Sequence, residues 1–131
     1  MKACIIGLVN IATVHACVLN ELDIEIVDVC DVNLDNAKKF IEQYCPNAKL
    51  YTDYKACIKN TTADVIHITT PHYLHKDMTV LALSLDKNVL CEKPLCISYQ
   101  QLNEILTAEK NSKGKLGVCQ QNRYNQAIKL L

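Results

Sequence analysis

The sequence has no surplus of either charge. Fourteen Lys and Arg balance fourteen Asp and Glu over 131 residues. Nucleic acid or an anionic membrane surface as partner would call for a basic excess, so neither is expected. No apolar run approaches the ~18 residues of a membrane span. The opening MKACIIGLVN holds one lysine and an apolar run that stops at Gly7, too short for a secretory leader. A cytoplasmic location is expected. No internal repeat, low-complexity stretch or linker divides the chain, and its length fits one domain with its own core. Cysteine is abundant, at positions 4, 17, 30, 45, 57, 91, 96 and 119, but it lacks any CxxC pair or zinc-finger spacing. A disulfide framework is therefore not expected. Cys4, Cys30, Cys91 and Cys119 each sit in an apolar, strand-like run and read as small core residues.

What is present is a strict alternation. Apolar runs rich in Val, Ile and Cys fall at 2–8, 25–31, 64–70, 88–92 and 115–120, with a shorter one at 49–53. They show little polar alternation, as strands buried on both faces of a parallel sheet do. Helical spacing fills the gaps. Residues 11–22 carry Ile11, Val14, Val18, Leu19 and Leu22 on one stripe, read as the buried face. Residues 34–44 follow Asn33 as N-cap. A short helix is expected at 53–59 and a longer one at 73–85. Ser98 and Gln101 form a capping-box spacing before a helix over 99–111. The fold class is α/β: a doubly wound, mainly parallel, Rossmann-like sheet of about six strands.

Such a sheet binds ligands outside the carboxyl ends of its strands. The loops at Gly7–Asn10, Asp31, Thr69–His72, Glu92–Pro94 and Gln120–Asn122 should therefore converge. The first reads Gly7-Leu8-Val9-Asn10-Ile11-Ala12, against the G-x-G-x-x-G/A of a pyrophosphate loop. The first glycine and the last small residue are in place. Val9 stands where the second glycine would admit phosphate, and a β-branched residue also resists any positive φ the turn needs. Asp31 ends the second strand, where a carboxylate bonds ribose hydroxyls and repels a 2′-phosphate, which favours NAD over NADP. The alternative for Asp31 is a plain helix-start aspartate. Glu92-Lys93-Pro94 leaves a buried strand for the crevice. There Lys93 could serve as a proton donor or a partner for a substrate oxygen, and Pro94 could be cis. A surface ion pair is the alternative. His67 reads as a core histidine. His72 and His75 are one helical turn apart but lack a partner at ligand spacing, so no metal is assigned. Arg123 could clamp an anionic or amide group, or simply start a helix.

Taken together, IIGLVNIATVHA, VCD, ITTPHYLH, VLCEKPLCIS and GVCQQNRYN resemble the Gfo/Idh/MocA family of nicotinamide-dependent sugar and polyol oxidoreductases. The resemblance runs through essentially the whole chain, and the E-K-P segment in its strand context is its most specific part. It implies that residues 1–120 are the family's N-terminal dinucleotide-binding domain. Residues 121–131 would begin the connection to a C-terminal substrate domain that has no counterpart in this sequence. It implies that Gly7, Val9, Asn10 and Ile11 belong to the pyrophosphate loop and that Asp31 is the ribose ligand. Thr70, Pro71 and His75 fall on the T-P-x-x-x-H segment beside the cofactor. Lys93 takes the catalytic lysine position with Glu92 next to it. Gln121, Asn122 and Arg123 lie where the chain passes the nicotinamide.

Three readings follow. The first is the NAD-binding part of a sugar or polyol dehydrogenase, with little or no turnover by itself. The second is a non-catalytic Rossmann module with a degenerate loop, serving self-association or a partner. A homodimer is expected, with Ile128, Leu130 and Leu131 as an apolar tail in need of cover. The least favoured is a cysteine-based redox or metal protein.

Overall fold

Runs of Val, Ile, Leu and Cys with no polar face have one stable use in a chain this size, a sheet covered on both sides. The computed structural model, which describes residues 1–126, has that form. Six strands run parallel: β1 (Lys2–Ile6), β2 (Glu25–Cys30), β3 (Lys49–Tyr51), β4 (Val65–Ile68), β5 (Asn88–Cys91) and β6 (Leu116–Val118). Their order across the sheet is β3-β2-β1-β4-β5-β6. Five α-helices connect them: α1 (Asn10–Glu21), α2 (Leu34–Tyr44), α3 (Tyr54–Asn60), α4 (His75–Ser84) and α5 (Tyr99–Asn111). Single 3-10 turns precede α4 at His72–Leu74 and follow β6 at Gln121–Tyr124.

The two faces carry separate cores. Ala3 and Ile5 of β1 point to one face and pack with Ala12, Ala16 and Leu19 of α1 and Ala37 and Phe40 of α2. Cys4 and Ile6 point to the other and pack with Cys57 and Ile58 of α3 and with Met78, Ala82 and Leu83 of α4. This is the period-two alternation of a strand buried on both sides. The caps read from the sequence are made. The Asn33 side chain accepts the N–H groups of Asp35 and Asn36, both at 3.1 Å. Ser98 Oγ accepts Gln101 N–H at 3.2 Å. The Gln101 side chain reaches back one residue further than a capping box requires, accepting Ile97 N–H at 3.1 Å.

The stripe expected to be the buried face of α1 is buried only in part: Leu19 is in the core and Ile11 is half-buried. In α1 the residues facing the core are Ala12, Ala16 and Leu19, whereas Val14, Val18 and Leu22 are exposed. Small alanines let the helix approach the sheet closely, and the branched stripe is turned toward an open groove. That groove, a cavity of about 440 Å³, runs over Val65 and Leu90 of the sheet. Cys4, Cys30 and Cys91 are buried as expected, while Cys119 is only partly buried. The apolar tail at Ile128, Leu130 and Leu131 lies outside the described residues.

Candidate functional site

Between β1 and β4 the strand order reverses direction, and their following helices lie on opposite faces. A crevice opens there, outside the carboxyl ends. It has two lobes that share Val9, Thr70 and Pro71. One, of about 470 Å³, reaches Gly7, Asp31 and Asp53. The other, of about 290 Å³, reaches Glu92 and Lys93.

Gly7 makes the first turn with φ +91°, and a Cβ there would stand 2.6 Å from Thr70 Cγ2 and 2.7 Å from Thr70 Cα. Glycine is required for both conformation and space. Thr69 fastens the same turn, its hydroxyl donating to the carbonyls of Gly7 at 2.6 Å and Ile6 at 3.1 Å. Val9 is the N-cap of α1, at φ −89° and ψ −179°. This is extended backbone that valine adopts freely, so the anticipated conflict with a positive φ does not arise. Gly7 alone in this loop takes a positive φ. The consequence of Val9 is bulk: an isopropyl group, 46% exposed, standing at the junction of the lobes. Val9 offers no side-chain cap, and the first turn of α1 carries no acidic residue. The partial positive charge at this helix end is therefore open to an anion in the crevice. Asn10 is exposed, and Ile11 borders the Lys93 lobe.

Asp31 ties two loops together. Its Oδ2 accepts Leu8 N–H at 2.7 Å and its Oδ1 accepts Asn33 N–H at 2.8 Å. Asp31 also lines the larger lobe, and each of its oxygens keeps a further lone pair beyond these two bonds. His75 is buried, with Nδ1 2.8 Å from the Pro94 carbonyl and Nε2 2.8 Å from the Thr70 carbonyl. It is a strut between the T-P and E-K-P loops, and this engagement of both nitrogens removes the His72–His75 metal pairing. Lys93 is exposed in the smaller lobe, and the Lys93–Pro94 peptide is cis. Asn122 and Arg123 are exposed on the turn after β6 and line neither lobe. The structure does not bring them to the others.

Glu92 is buried at the back of the smaller lobe. Its Oε1 lies 3.0 Å from His15 Nε2, and its Oε2 accepts Lys93 N–H at 3.2 Å. Burial pushes the Glu92 carboxyl up, but hydrogen bonds from His15 and Lys93 N–H outweigh it and leave it below the ordinary carboxylate range. Behind it, His15 Nδ1 is 2.8 Å from His67 Nδ1. Burial, with His15 adding to it, lowers His67 to about 4, so this ring is neutral near pH 7. Sequence reasoning missed His15. Its only signal was a polar ring on an otherwise apolar helix stripe.

Residues 1–120 match the Gfo/Idh/MocA oxidoreductase family, described by its NAD-binding Rossmann fold. The chain is 33% identical over 129 residues to inositol 2-dehydrogenase of Salmonella typhimurium, covering 96% of this chain and 38% of that protein. It is 35% identical over 118 residues to D-glucoside 3-dehydrogenase of Escherichia coli, covering 86% of this chain and 33% of that protein. Among solved structures, the WlbA dehydrogenase of Chromobacterium violaceum, in complex with NADH and UDP-GlcNAcA, superposes with a TM-score of 0.93 at 26% identity. That match covers 99% of this chain and 38% of the other. The chain thus spans well under half the length of the relatives it matches. In fold and in sequence over residues 1–120, it belongs to the Gfo/Idh/MocA oxidoreductase family and has that family's N-terminal NAD-binding Rossmann domain.

Proposed function

We propose that this chain is the cofactor-binding part of a sugar or polyol dehydrogenase, and that it seats NAD across both lobes of the crevice. The observation that carries the reading is the placement of Gly7, the uncapped start of α1, Asp31 and Lys93 along one crevice at the strand reversal. The pyrophosphate would lie over Gly7 and the N–H groups that open α1. Asp31 would take the adenosine ribose hydroxyls, and its charge would disfavour a 2′-phosphate. When bound, the cofactor supplies the acceptor for a hydride from a secondary alcohol carbon. Lys93 Nζ would hold or move the proton at the alcohol oxygen. Glu92 would position Lys93 through its backbone N–H, and His75 would fix the loop that carries it. Residues 121–131 would start the connection to a substrate-binding region. The walls that position a sugar and exclude water are absent from the described residues, so turnover by this chain alone should be negligible.

NADH titration followed by nicotinamide fluorescence tests this, on the wild type and on Val9→Gly. Weak binding by the wild type, tightened by the variant, is the expected result. A phosphate hydrogen bond lost to Val9 would cost about 1–3 kcal/mol, roughly tenfold or more in affinity. Failure of both proteins to bind would sink the reading.

The exposed stripe on α1 favours a second role alongside the first, association with a second copy of the chain. Val14, Val18 and Leu22 form an apolar patch beside the groove over Val65 and Leu90, and a formal charge of zero leaves no net repulsion between copies. Light scattering should show a dimer that Val18→Glu dissociates; a monomer at high concentration would refute it.

A further inference from the structure

Behind the crevice, in the groove beside α1, three side chains converge that the dehydrogenase reading does not use together. His15 comes from the second turn of α1, Glu92 from the end of β5 and Cys119 from the end of β6. A ring nitrogen of His15, a Glu92 carboxylate oxygen and Cys119 Sγ all lie within 4.8 Å of one another, and His15 Nε2 is the nitrogen that faces Glu92, at 3.0 Å. We propose that His15, Glu92 and Cys119 bind one divalent transition-metal ion of the zinc type, with His67 orienting His15.

Four arguments support the site. The donor set is the first. One imidazole, one carboxylate and one thiolate suit zinc and its spectroscopic substitute cobalt, whereas magnesium and calcium take oxygen alone. Distance is the second. Zinc bonds of about 2.0–2.3 Å in a tetrahedron put ligand atoms about 3.3–3.8 Å apart. His15 and Glu92 are already closer, at 3.0 Å, so small side-chain rotations bring all three into range.

The orientation of His15 is the third. A metal-bound histidine donates its other ring N–H to an acceptor, which fixes its tautomer. His67 Nδ1, on a buried ring 2.8 Å from His15 Nδ1, is placed to be that acceptor. Charge is the fourth. A dication with one carboxylate and one thiolate sums to zero, so no uncompensated charge is buried.

Binding changes the proton count by one. The Cys119 S–H bond breaks, its proton goes to the buffer, and the sulfur–metal bond forms. The hydrogen on His15 Nε2, shared with Glu92 in the empty site, is replaced by one on Nδ1 that points to His67. The His67 hydrogen moves in turn to Nε2. Three protein ligands leave a fourth position facing the groove lined by Gln121, the ligand count of a site that keeps water or a small ligand.

The test is a cobalt titration of the full chain, read by absorbance, with zinc as competitor. It does not depend on dinucleotide binding. The expected result is one equivalent of cobalt bound in the micromolar range or tighter, with tetrahedral d–d bands and a thiolate-to-cobalt charge-transfer band that zinc abolishes. Cys119→Ser should remove the charge-transfer band, and His15→Gln should weaken binding by at least tenfold. His67→Phe should weaken binding about 10–100-fold while leaving the band's position unchanged. Cys17→Ser, at an exposed cysteine on the same helix, should change nothing. Circular dichroism of each variant separates loss of ligand from loss of fold. Absence of one-to-one binding in the micromolar range would overturn the proposal. So would a charge-transfer band that survives in a folded Cys119→Ser protein.

Discussion

A single methyl group at Gly7 reports how tightly the first loop is built. A Cβ there meets Thr70 side chain and backbone at under 3 Å, at a φ that alanine resists. Gly7→Ala should destabilise the fold by about 1–3 kcal/mol, through strain and overpacking together. Urea denaturation checks this, and a midpoint unchanged from wild type would show that the loop yields. Val9 behaves differently. Its backbone is relaxed, so Val9→Gly gains room without releasing strain, and its effect belongs to ligand binding. The sequence marked Gly7, Asp31 and the E-K-P segment through residue type and position at strand ends. It could not show that Asp31 closes two loops, because those partners are backbone N–H groups that carry no residue identity. Nor could it join His15 to Glu92, 77 positions apart, since only the sheet order brings α1 and the end of β5 together.

For the helices, the strand and helix positions were legible because each has a period: continuous apolar runs for buried strands, every third or fourth residue for helices. Orientation was less so. In α1 the helix buries Ala12 and Ala16 with only Leu19 of the expected stripe, leaving Val14, Val18 and Leu22 exposed. Periodicity says which residues share a face; what lies opposite that face is decided by packing distance. The caps are better determined, since they depend on side chains bonding local backbone. Asn33 accepts two N–H groups at the start of α2. Asn33→Ala should therefore cost about 1 kcal/mol of stability. Thermal melting would show it, and a variant melting with the wild type would indicate that water replaces the cap.

Across the molecule, the cysteines tie stability to alkaline pH. Cys45 is raised to about 11 by burial. Cys30 is raised first by its hydrogen bond with Cys57 and then by burial. For Cys57, the bond with Cys30 lowers it, but the bond with Cys4 and burial raise it more. An unfolded chain releases these protons near pH 9, whereas the folded chain retains them. The unfolded state then binds fewer protons, so stability falls as pH rises from about 9 toward 11. Each such thiol contributes up to about 1.4 kcal/mol per pH unit in that window. Urea midpoints should be level below pH 8.5 and drop steeply above 9, and Cys45→Ala should reduce the slope. A midpoint independent of pH up to 11 would contradict the burial of these thiols.

At the same scale, the proposed seat for NAD is the crevice where the strand order reverses. Chemical-shift mapping of NAD onto the backbone amides measures this most directly. Saturable shifts are expected at Gly7, Asn10, Ile11, Asp31, Thr70 and Lys93, spanning both lobes, with NADP producing weaker ones. Saturable shifts elsewhere on the surface, or none at these amides in either the wild type or Val9→Gly, would contradict that placement.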